Sequence, residues 1–402
     1  MRKDKILELI EKYSKQVGLF KNRDALSESY LPDTILHRDK EIEELIRYLI
    51  PLIRGERAPN IMIFGKPGTG KTLTVKYVLR ELEKYAKGKF KYIYVNVRVK
   101  RVADTEYRIL AFILRKLGTN VPYTGLSLTR LSEMLLEKFE KIPGSYVIVL
   151  DEIDEFIKRR NKDALSNLVM LLNEVSSSKV CVIGISNDLF FTRELDSKIK
   201  TFFNIELYFK PYDANQLYDI LKQRAELAFI PGVISDDILR KIAAIAARND
   251  GDAREAISLL RTAGEIAERK GKDKITIEDV DEAAVELEEK RLIFIINSLP
   301  EHSKILLKAI LLVLKNKKIA YTGEVYNKYK ALCDILGYTP LTQRRISDLI
   351  GELDMLGIIN ATVISRGKHG RTREIRIDHD DGTIEKISHI LNNSLNLTDT
   401  LL

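Results

Sequence analysis

Tryptophan is absent from this 402-residue chain, and cysteine occurs only twice, at Cys181 and Cys333. The two cysteines lie far apart and neither belongs to a C-x-x-C pair, which argues against a disulfide framework or a zinc site and fits a reducing compartment. Long apolar runs are missing too: the longest, residues 305–314, is broken by Lys308 and is too short to span a bilayer. The first ten residues alternate charged and apolar side chains, unlike a signal peptide. We therefore expect a soluble, cytoplasmic chain without a membrane partner.

Apolar and charged residues are both abundant, at 45% and 31% of the chain. That balance is enough to bury real cores, and the length predicts about two to four domains. The formal net charge is +8, which indicates an acidic partner such as nucleic acid.

One glycine-rich stretch, NIMIFGKPGTGKT at residues 60–72, has a strong chemical signature. An apolar run, Ile61–Phe64, enters the loop, and a helical pattern, Leu73–Leu82, follows it, which is the context that a phosphate-binding loop requires. Backbone N–H groups would then converge on phosphate oxygens at a helix N-terminus. The Lys71 ammonium would neutralise the β- and γ-phosphates, and the Thr72 hydroxyl would bind Mg²⁺. The loop residues predicted to bind nucleotide are Gly65, Lys66, Pro67, Gly68, Thr69, Gly70, Lys71 and Thr72.

Short apolar, β-rich runs alternate with helical patterns between residues 59 and 209. This alternation predicts a parallel sheet with helices on both faces. From residue 211 to about 287 strand signals disappear and apolar residues recur at helical spacing, which predicts a helical bundle. The predicted strands are Ile61–Phe64, Tyr92–Val97, Tyr146–Leu150, Val180–Ile185 and Ile205–Phe209.

Polar residues follow two of these strands directly. Asp151 and Glu152 end the third strand, where a second-shell Mg²⁺ ligand and a base that polarises the attacking water belong. Asn187 follows the fourth strand, within predicted reach of that water or of the γ-phosphate. Each signal alone also fits a solvated strand end or a turn, and their position after the phosphate loop makes the set specific.

A third unit, from about residue 291 to 377, combines three helical patterns with two β-like runs, which is typical of a winged helix-turn-helix. It holds 15 Lys/Arg against 7 Asp/Glu, a net charge of +8 that equals the charge of the whole chain. The third helical pattern opens with three residues placed where recognition helices contact base edges and phosphates. The predicted DNA-binding residues are Gln343, Arg344 and Arg345 on this helix and Arg366, Lys368, Arg371 and Arg373 on the hairpin. A protein-binding winged helix with a solvated basic hairpin is the alternative.

Together the loop, Asp151-Glu152 and Asn187 resemble the AAA+ ATPases. The finer resemblance, over roughly residues 30–380, is to the archaeal replication-initiator family, relatives of the large subunit of the origin recognition complex and of the helicase loader. It also depends on Leu36-His-Arg-Asp, on Phe209-Lys-Pro-Tyr212, on Gly251-Asp-Ala-Arg254 and on the winged C-terminal unit. The resemblance implies an α/β P-loop ATPase domain with a parallel sheet, a helical lid and a winged helix-turn-helix domain.

The resemblance also implies roles for single residues. His37 and its neighbours would line the adenine pocket, Tyr212 and Arg224 would contact the nucleotide from the lid, and Arg254 would be the lid arginine that touches the γ-phosphate. A DNA-contacting insertion in the ATPase domain would include Lys100 and Arg101. For His37, Arg224 and Arg254 a surface position is the simpler alternative, and much of the insertion also fits an ordinary packing helix. Lys198 stands where many members carry an arginine for a neighbouring subunit, and lysine lacks the planar fork.

These features predict an ATP-binding, ADP-binding and Mg²⁺-dependent initiator that hydrolyses ATP slowly and uses it as a conformational switch. Its expected partners are double-stranded origin DNA, the replicative helicase and paralogous initiators. An ATPase regulator of the signal-transduction type is the alternative, and a clamp-loader subunit is disfavoured by the winged C-terminal unit. The expected domains are a basic arm (1–30), the ATPase base (31–210), the lid (211–290), the winged helix (291–378) and a partly disordered tail (379–402).

Overall fold

A computed structural model describes residues 18–99, 105–122, 124–155, 162–189, 197–315, 317–365 and 371–397. The chain forms two compact units, Met1–Val280 and Asp281–Leu402. Among the described helices, none is long and apolar enough to cross a membrane.

The first unit is built on a five-stranded parallel sheet in the order β2-β3-β4-β1-β5. This confirms the predicted sheet and all five of its strands. Its strands are β1 (Asn60–Phe64), β2 (Phe90–Asn96), β3 (Ser145–Asp151), β4 (Lys179–Ser186) and β5 (Phe203–Tyr208). The helices of this unit are α1 (Asp39–Ile53), α2 (Lys71–Ala86), α3 (Glu106–Lys116), α4 (Leu128–Lys141), α5 (Lys162–Glu174), α6 (Ser197–Phe202), α7 (Ala214–Ala228), α8 (Asp236–Arg248) and α9 (Ala253–Arg269).

Strand β3 shows why these apolar runs form the centre of the sheet. Every residue from Ser145 to Asp151 is buried, and successive side chains point to opposite faces. Ile148 and Leu150 pack with the helical layer that contains α3 and α4, whereas Val147 and Val149 pack with α1 and α2. A strand covered on both faces needs a continuous apolar run, which is the pattern that the sequence carries.

Parallel strands place their carboxyl ends along one edge of the sheet, so the residues that follow β1, β3 and β4 adjoin. The register pairs Phe64 with Ser186 and Asp151 with Ile185. The phosphate loop, Asp151 and Asn187 are thereby brought to one edge, which is where ligands bind in open α/β sheets.

Helices α7, α8 and α9 form a lid, and residues 18–36, called the strap below, run against it. The strap contains a single 3₁₀ turn, Arg23–Leu26. A capping box opens α7, with Asp213 accepting from Gln216 N–H, and Asp252 caps α9. The predicted basic arm lies partly here, since residues 1–17 fall outside the described residues.

The second unit contains the three predicted helices and the predicted hairpin. Its elements are the end of α10 (Ile277–Ser298), α11 (Glu301–Leu314), β6 (Ala320–Tyr321), α12 (Thr322–Leu336), α13 (Gln343–Met355), β7 (Asn360–Ser365), β8 (Arg371–Arg376) and α14 (Asp381–Ser394). Strands β7 and β8 pair antiparallel, and the short β6 adds a third strand that the sequence analysis did not predict. The core is lined by Ile346, Leu349, Ile350 and Leu353 of α13, among others.

The tail is a correction, because residues 381–394 are helical and not disordered. Asp380 caps α14 by accepting from Thr383 N–H at 3.0 Å. Ile387 and Leu391 are 2% and 0% exposed within the core of the second unit. Their spacing of four residues is a helical stripe, and the polar residues around them, such as Asn392 and Asn393, conceal it in composition.

Candidate nucleotide site and nucleic-acid interface

The phosphate loop depends on two glycines in the left-handed region, Gly68 at φ +70° and Gly70 at φ +86°. A Cβ on Gly68 would lie 1.7 Å from Asp252 Oδ1, and one on Gly70 would lie 2.6 Å from the Tyr212 hydroxyl. Both positions therefore need glycine for backbone conformation and for the close approach of the lid.

Lys71 begins α2 and is only 4% exposed. Its Nζ donates to the carbonyl oxygens of Gly65 at 2.7 Å and Lys66 at 2.8 Å. Burial, and then the nearby positive charge of Arg254, lower the pKa of Lys71 to about 8. A buried ammonium beside a second cation favours an anionic ligand, because a phosphate supplies the missing counter-charge.

The carboxylate of Asp151 is held by three donors. The Thr72 hydroxyl donates to Oδ2 at 2.8 Å, the Tyr94 hydroxyl donates to the same oxygen, and Glu152 N–H donates to Oδ1 at 2.9 Å. Burial and the negative charge of Asp151 raise the pKa of Tyr94. A hydroxyl and a carboxylate side by side are the oxygen ligands that Mg²⁺ prefers. Since no cluster of three or more ionisable ligands occurs among the described residues, such an ion would rely on the phosphates and on water for its other ligands.

Glu152 and Asn187 border the same cavity, as their strand positions predicted. Glu152 has φ +57°, and its Oε2 is buried without a hydrogen-bond donor, although Arg98 Nη1 lies 3.5 Å away. A carboxylate at the cavity wall, with one oxygen that accepts no hydrogen bond, is suited to accept a proton from water. Asn187 N–H donates to Asp154 Oδ1 at 3.4 Å, which ties the end of β4 to the turn after β3.

The lid contacts the phosphate loop directly. Ala253 N–H at the start of α9 donates to Gly68 O at 3.3 Å, and Lys66 Nζ pairs with Asp250 Oδ1 at 2.5 Å. Asp252 accepts from Arg254 N–H at 2.7 Å, so the helix cap also fixes Arg254 at the cavity wall. The first turn of α9 and the phosphate loop are therefore mechanically linked.

The cavity between the loop, the lid and the strap has a volume of about 330 Å³, which lies within the usual range for small-molecule sites. Its walls include most of the residues predicted to bind nucleotide or to act on it, but not Gly65, Lys66 or Pro67 of the loop. Those that line it are Gly68, Thr69, Gly70, Lys71, Thr72, Asp151, Glu152, Asn187, Tyr212, Arg224 and Arg254.

His37 is not among the residues that line the cavity, although its neighbours Ile35 and Leu36 are. Its backbone is left-handed at φ +59°, and its Nε2 contacts Asp219 Oδ2 of α7 at 2.8 Å. The imidazole ring therefore faces helix α7 of the lid and does not line the cavity, contrary to the expectation for His37.

Arg38, the next residue, has a structural role that sequence reasoning missed. It is 3% exposed, donates to Thr69 O at 3.0 Å and to Lys210 O at 2.6 Å, and its guanidinium lies 3.9 Å from the centre of the Tyr212 ring. It joins the strap's end, the phosphate loop and the start of the lid. The Leu36-His-Arg-Asp stretch was the available signal. Every residue has a backbone carbonyl, however, so the sequence does not reveal which carbonyls accept hydrogen bonds from Arg38.

The candidate DNA-binding face in the second unit is the start of α13. Thr342 caps this helix by accepting from Arg345 N–H at 3.4 Å. Gln343, Arg344 and Arg345 are exposed on its first turn, and Arg345 pairs with Glu352 at 3.3 Å. Arg373 is half-buried, with its guanidinium 3.4 Å from the position of a Cβ on Gly351. Lys100, Arg101, Arg366, Lys368 and the side chain of Arg371 lie outside the described residues.

The geometry defines a class: a P-loop ATPase of the AAA type with a helical lid and a winged helix. Models of known families agree along the chain. Residues 61–211 match "ATPase family associated with various cellular activities (AAA)", residues 218–285 the "Cdc6 AAA+ ATPase-type lid domain" and residues 295–387 the "CDC6, C terminal winged helix domain". The AAA match makes ATP and ADP binding a property of the class.

The chain belongs to the family of ORC1-type DNA replication proteins with Cdc6-type lid and winged-helix domains. It is 44% identical to ORC1-type DNA replication protein 1 of Sulfurisphaera tokodaii, over 95% of this chain and 96% of that protein. It is 46% identical to the Thermococcus kodakarensis ORC1-type protein, over 94% and 92%. Among solved structures, the Aeropyrum pernix ORC1 protein in complex with DNA matches with a TM-score of 0.83 and 40% identity, over 96% and 99%.

Proposed function

We propose that this chain is an ATP-switched initiator of DNA replication that binds duplex origin DNA and helps recruit the replicative helicase. The observation that carries the proposal is the presence in one chain of a lid-covered phosphate site and a winged helix with an exposed, basic first turn on α13. The relatives named ORC1-type replication proteins, and the DNA complex of the Aeropyrum pernix relative, support it.

In the nucleotide site each residue has a proposed task. The loop N–H groups and Lys71 hold the phosphates, and Arg254 adds positive charge from the lid. Thr72 and Asp151 hold Mg²⁺, which when bound neutralises charge on the phosphates and helps to orient them. Glu152 accepts the proton of the attacking water, and Asn187 orients that water.

Slow hydrolysis is part of the proposal, and ATP acts mainly as a switch. Lys198 replaces the arginine that many family members supply to a neighbour, and a lysine cannot make the two parallel hydrogen bonds of a guanidinium. The first N–H of α9 donates to Gly68 O in the phosphate loop. A change in the charge of the bound nucleotide therefore shifts the position of the lid.

On DNA, Gln343, Arg344 and Arg345 contact base edges and phosphates in the major groove, and the wing arginines Arg371 and Arg373 contact the adjoining groove. Lys100 and Arg101 would contribute from the ATPase domain, with Arg366 and Lys368 at the wing tip. Paralogous initiators on the same origin are further proposed partners. The signal-transduction alternative is weakened because both the lid and the winged helix match Cdc6 models.

The test measures binding to duplexes from the host's own origin regions, with ATP or ADP, against shuffled duplexes of the same length. The double variant Arg344→Ala, Arg345→Ala should weaken origin binding by about 30-fold or more, since each bidentate contact to a base edge is worth roughly 1–3 kcal/mol. A matched control, Lys317→Ala with Lys386→Ala, removes two positive charges elsewhere in the second unit, where they pair with Glu324 and Glu289. Equal losses in both variants, or no preference for origin duplexes, would contradict specific binding through α13.

A further inference from the structure

The lining of the nucleotide cavity divides by chemistry. Lys71, Thr72, Asp151 and Arg254 supply charge and hydroxyl groups, which suit phosphates and a cation. The strap and the lid supply most of the apolar part, with Leu73 of α2 as a further apolar residue: Leu31, Pro32, Ile35, Leu36, Ile220 and Ile257. A purine prefers an apolar slot with a few polar groups at its edge, so the strap and the lid form the wall that suits the base.

The far end of the strap is fastened to the lid, away from the cavity. Phe20 packs on Phe229 with ring centres 4.6 Å apart, and Lys21 N–H donates to Ala228 O at 2.8 Å. Glu268 of α9 accepts from Leu19 N–H at 3.2 Å and pairs with Arg23. Residues 19–23 therefore follow the lid.

The part of the strap that lines the cavity is fastened by one face of α7. Gln223 Nε2 donates to Thr34 Oγ1 at 2.9 Å, and Arg224 lies beside it. The Arg224 guanidinium donates to Ala25 O at 3.1 Å and Tyr30 O at 3.4 Å, and it lies 4.7 Å from the centre of the Tyr30 ring.

Arg224 is 4% exposed, and burial lowers its pKa. A buried guanidinium is stable only where its N–H groups find acceptors. Two backbone carbonyls of the strap provide acceptors here, five residues apart on either side of the turn at residues 26–29. One side chain thus fixes the shape of the segment that enters the cavity wall.

We propose that Arg224 is a positioning residue for base selection: it holds residues 25–34 of the strap against the lid, so that this wall, and not the phosphate loop, sets the preference for adenine. The inference rests on the proposed nucleotide binding and gives Arg224 a different task from the direct nucleotide contact that the sequence implied. Because the strap is also fastened at Glu268, the preference depends on a contact remote from the cavity.

The experiment compares dissociation constants for ADP and GDP with full-length protein. The wild type should prefer ADP by about tenfold or more, because guanine carries one more polar exocyclic group than adenine, and an apolar wall leaves that group without a hydrogen-bond partner. Arg224→Gln should reduce the preference to about twofold, mainly through weaker ADP binding. Glu268→Ala, outside the cavity lining, should reduce it by a smaller factor in the same direction, and it decides the matter if Arg224→Gln fails to fold.

Arg261→Gln is the matched control, because Arg261 is an exposed lid arginine that pairs with Glu265 of its own helix. It should leave the ADP-to-GDP ratio unchanged. Three results would overturn the proposal: equal weakening of ADP and GDP in the Arg224 variant, an unaltered ratio in both the Arg224 and the Glu268 variants, or a wild type that binds both nucleotides equally. A wild type that binds neither nucleotide contradicts the proposed function itself and is thereby distinguishable.

Discussion

At the scale of single residues, some members of the nucleotide site could be predicted from local sequence patterns, and others are brought there only by tertiary contacts. Lys71, Thr72 and Asp151 were predictable because strand, loop and helix impose fixed spacings on a phosphate site. Tyr94 was not, because its contact with Asp151 joins residues 57 positions apart across neighbouring strands. The same holds for Arg38 and for the altered role of Arg224, whose partners are backbone carbonyls and carry no sequence signature.

Replacing Gly68 by alanine tests the fit between the phosphate loop and the lid. The added Cβ meets the Asp252 carboxylate at 1.7 Å in a left-handed backbone, so we expect loss of ADP binding and a free energy of unfolding lower by about 2 kcal/mol or more. Gly118→Ala is a matched control, because Gly118 has φ +84° with nothing within 4 Å, and it should cost only about 1 kcal/mol. Calorimetry and ADP titration measure both effects. Similar costs in the two variants would show that the lid does not press on the loop.

Asp279 of α10 is buried with 0% of its side chain exposed and pairs with Lys272 at 2.7 Å and Lys270 at 3.2 Å. Burial raises the pKa of its carboxyl, but hydrogen bonds from Lys272 and Thr276 outweigh this and bring the pKa to about 2. A carboxyl whose pKa is lower in the folded than in the unfolded chain stabilises the fold at pH values above its unfolded pKa, near 4. This stabilisation is lost as pH falls toward 2.

Asp279→Asn should therefore lower the free energy of unfolding by about 1–3 kcal/mol at neutral pH, since it replaces charge-assisted hydrogen bonds to two partly exposed lysines by neutral ones. The variant should also lose the part of the acid destabilisation between about pH 4 and 2 that Asp279 causes. Denaturant unfolding across that pH range, with Glu265→Gln at an exposed pair as control, measures both. A variant as stable as the wild type would refute the assignment.

At the scale of elements, strands and long helices followed from apolar periodicity. Each strand of the main sheet lies within about two residues of its predicted apolar run. Helix α14 and strand β6 were missed for different reasons. The tail's composition resembles a disordered segment although its apolar residues have helical spacing, and a two-residue strand has no periodicity that a sequence could reveal.

Leu391→Ala tests whether the tail helix belongs to the fold of the second unit. Leu391 is fully buried in that unit's core, so the truncation should lower its free energy of unfolding by about 2–5 kcal/mol through lost burial and a cavity. Glu385→Ala on the exposed face of the same helix should change it by less than about 0.5 kcal/mol. Hydrogen exchange of α11 amides reports the unit's stability separately from the ATPase unit. Unchanged exchange in both variants would mean that the tail docks without stabilising the unit.

At the scale of the whole molecule, nucleotide chemistry lies in the first unit, whereas positive charge lies in both the first unit and the winged region. Residues 291–377 carry a net charge of +8, equal to that of all 402 residues. Residues 1–280 also carry a net charge of +8, and the acidic segments 281–290 and 378–402, at −4 each, offset this excess in the total. Long-range attraction of DNA is therefore available to both units. Composition alone predicted the basic winged region, whereas the coupling of nucleotide to lid follows from the contacts of Gly68, Lys66 and Arg38.

Glu152→Gln tests whether nucleotide state controls DNA binding over time. The amide cannot accept the water's proton, so ATP should bind with near wild-type affinity while turnover falls by about 100-fold or more. If ATP and ADP forms differ in DNA affinity, the wild-type complex formed with ATP should drift to the ADP level at the rate of phosphate release, and the variant complex should persist. Glu174→Gln, at an exposed helix end, should behave like the wild type. If the variant–DNA complex persists although turnover is unchanged, DNA release does not depend on hydrolysis. If the variant turns over ATP like the wild type, the general base is another residue.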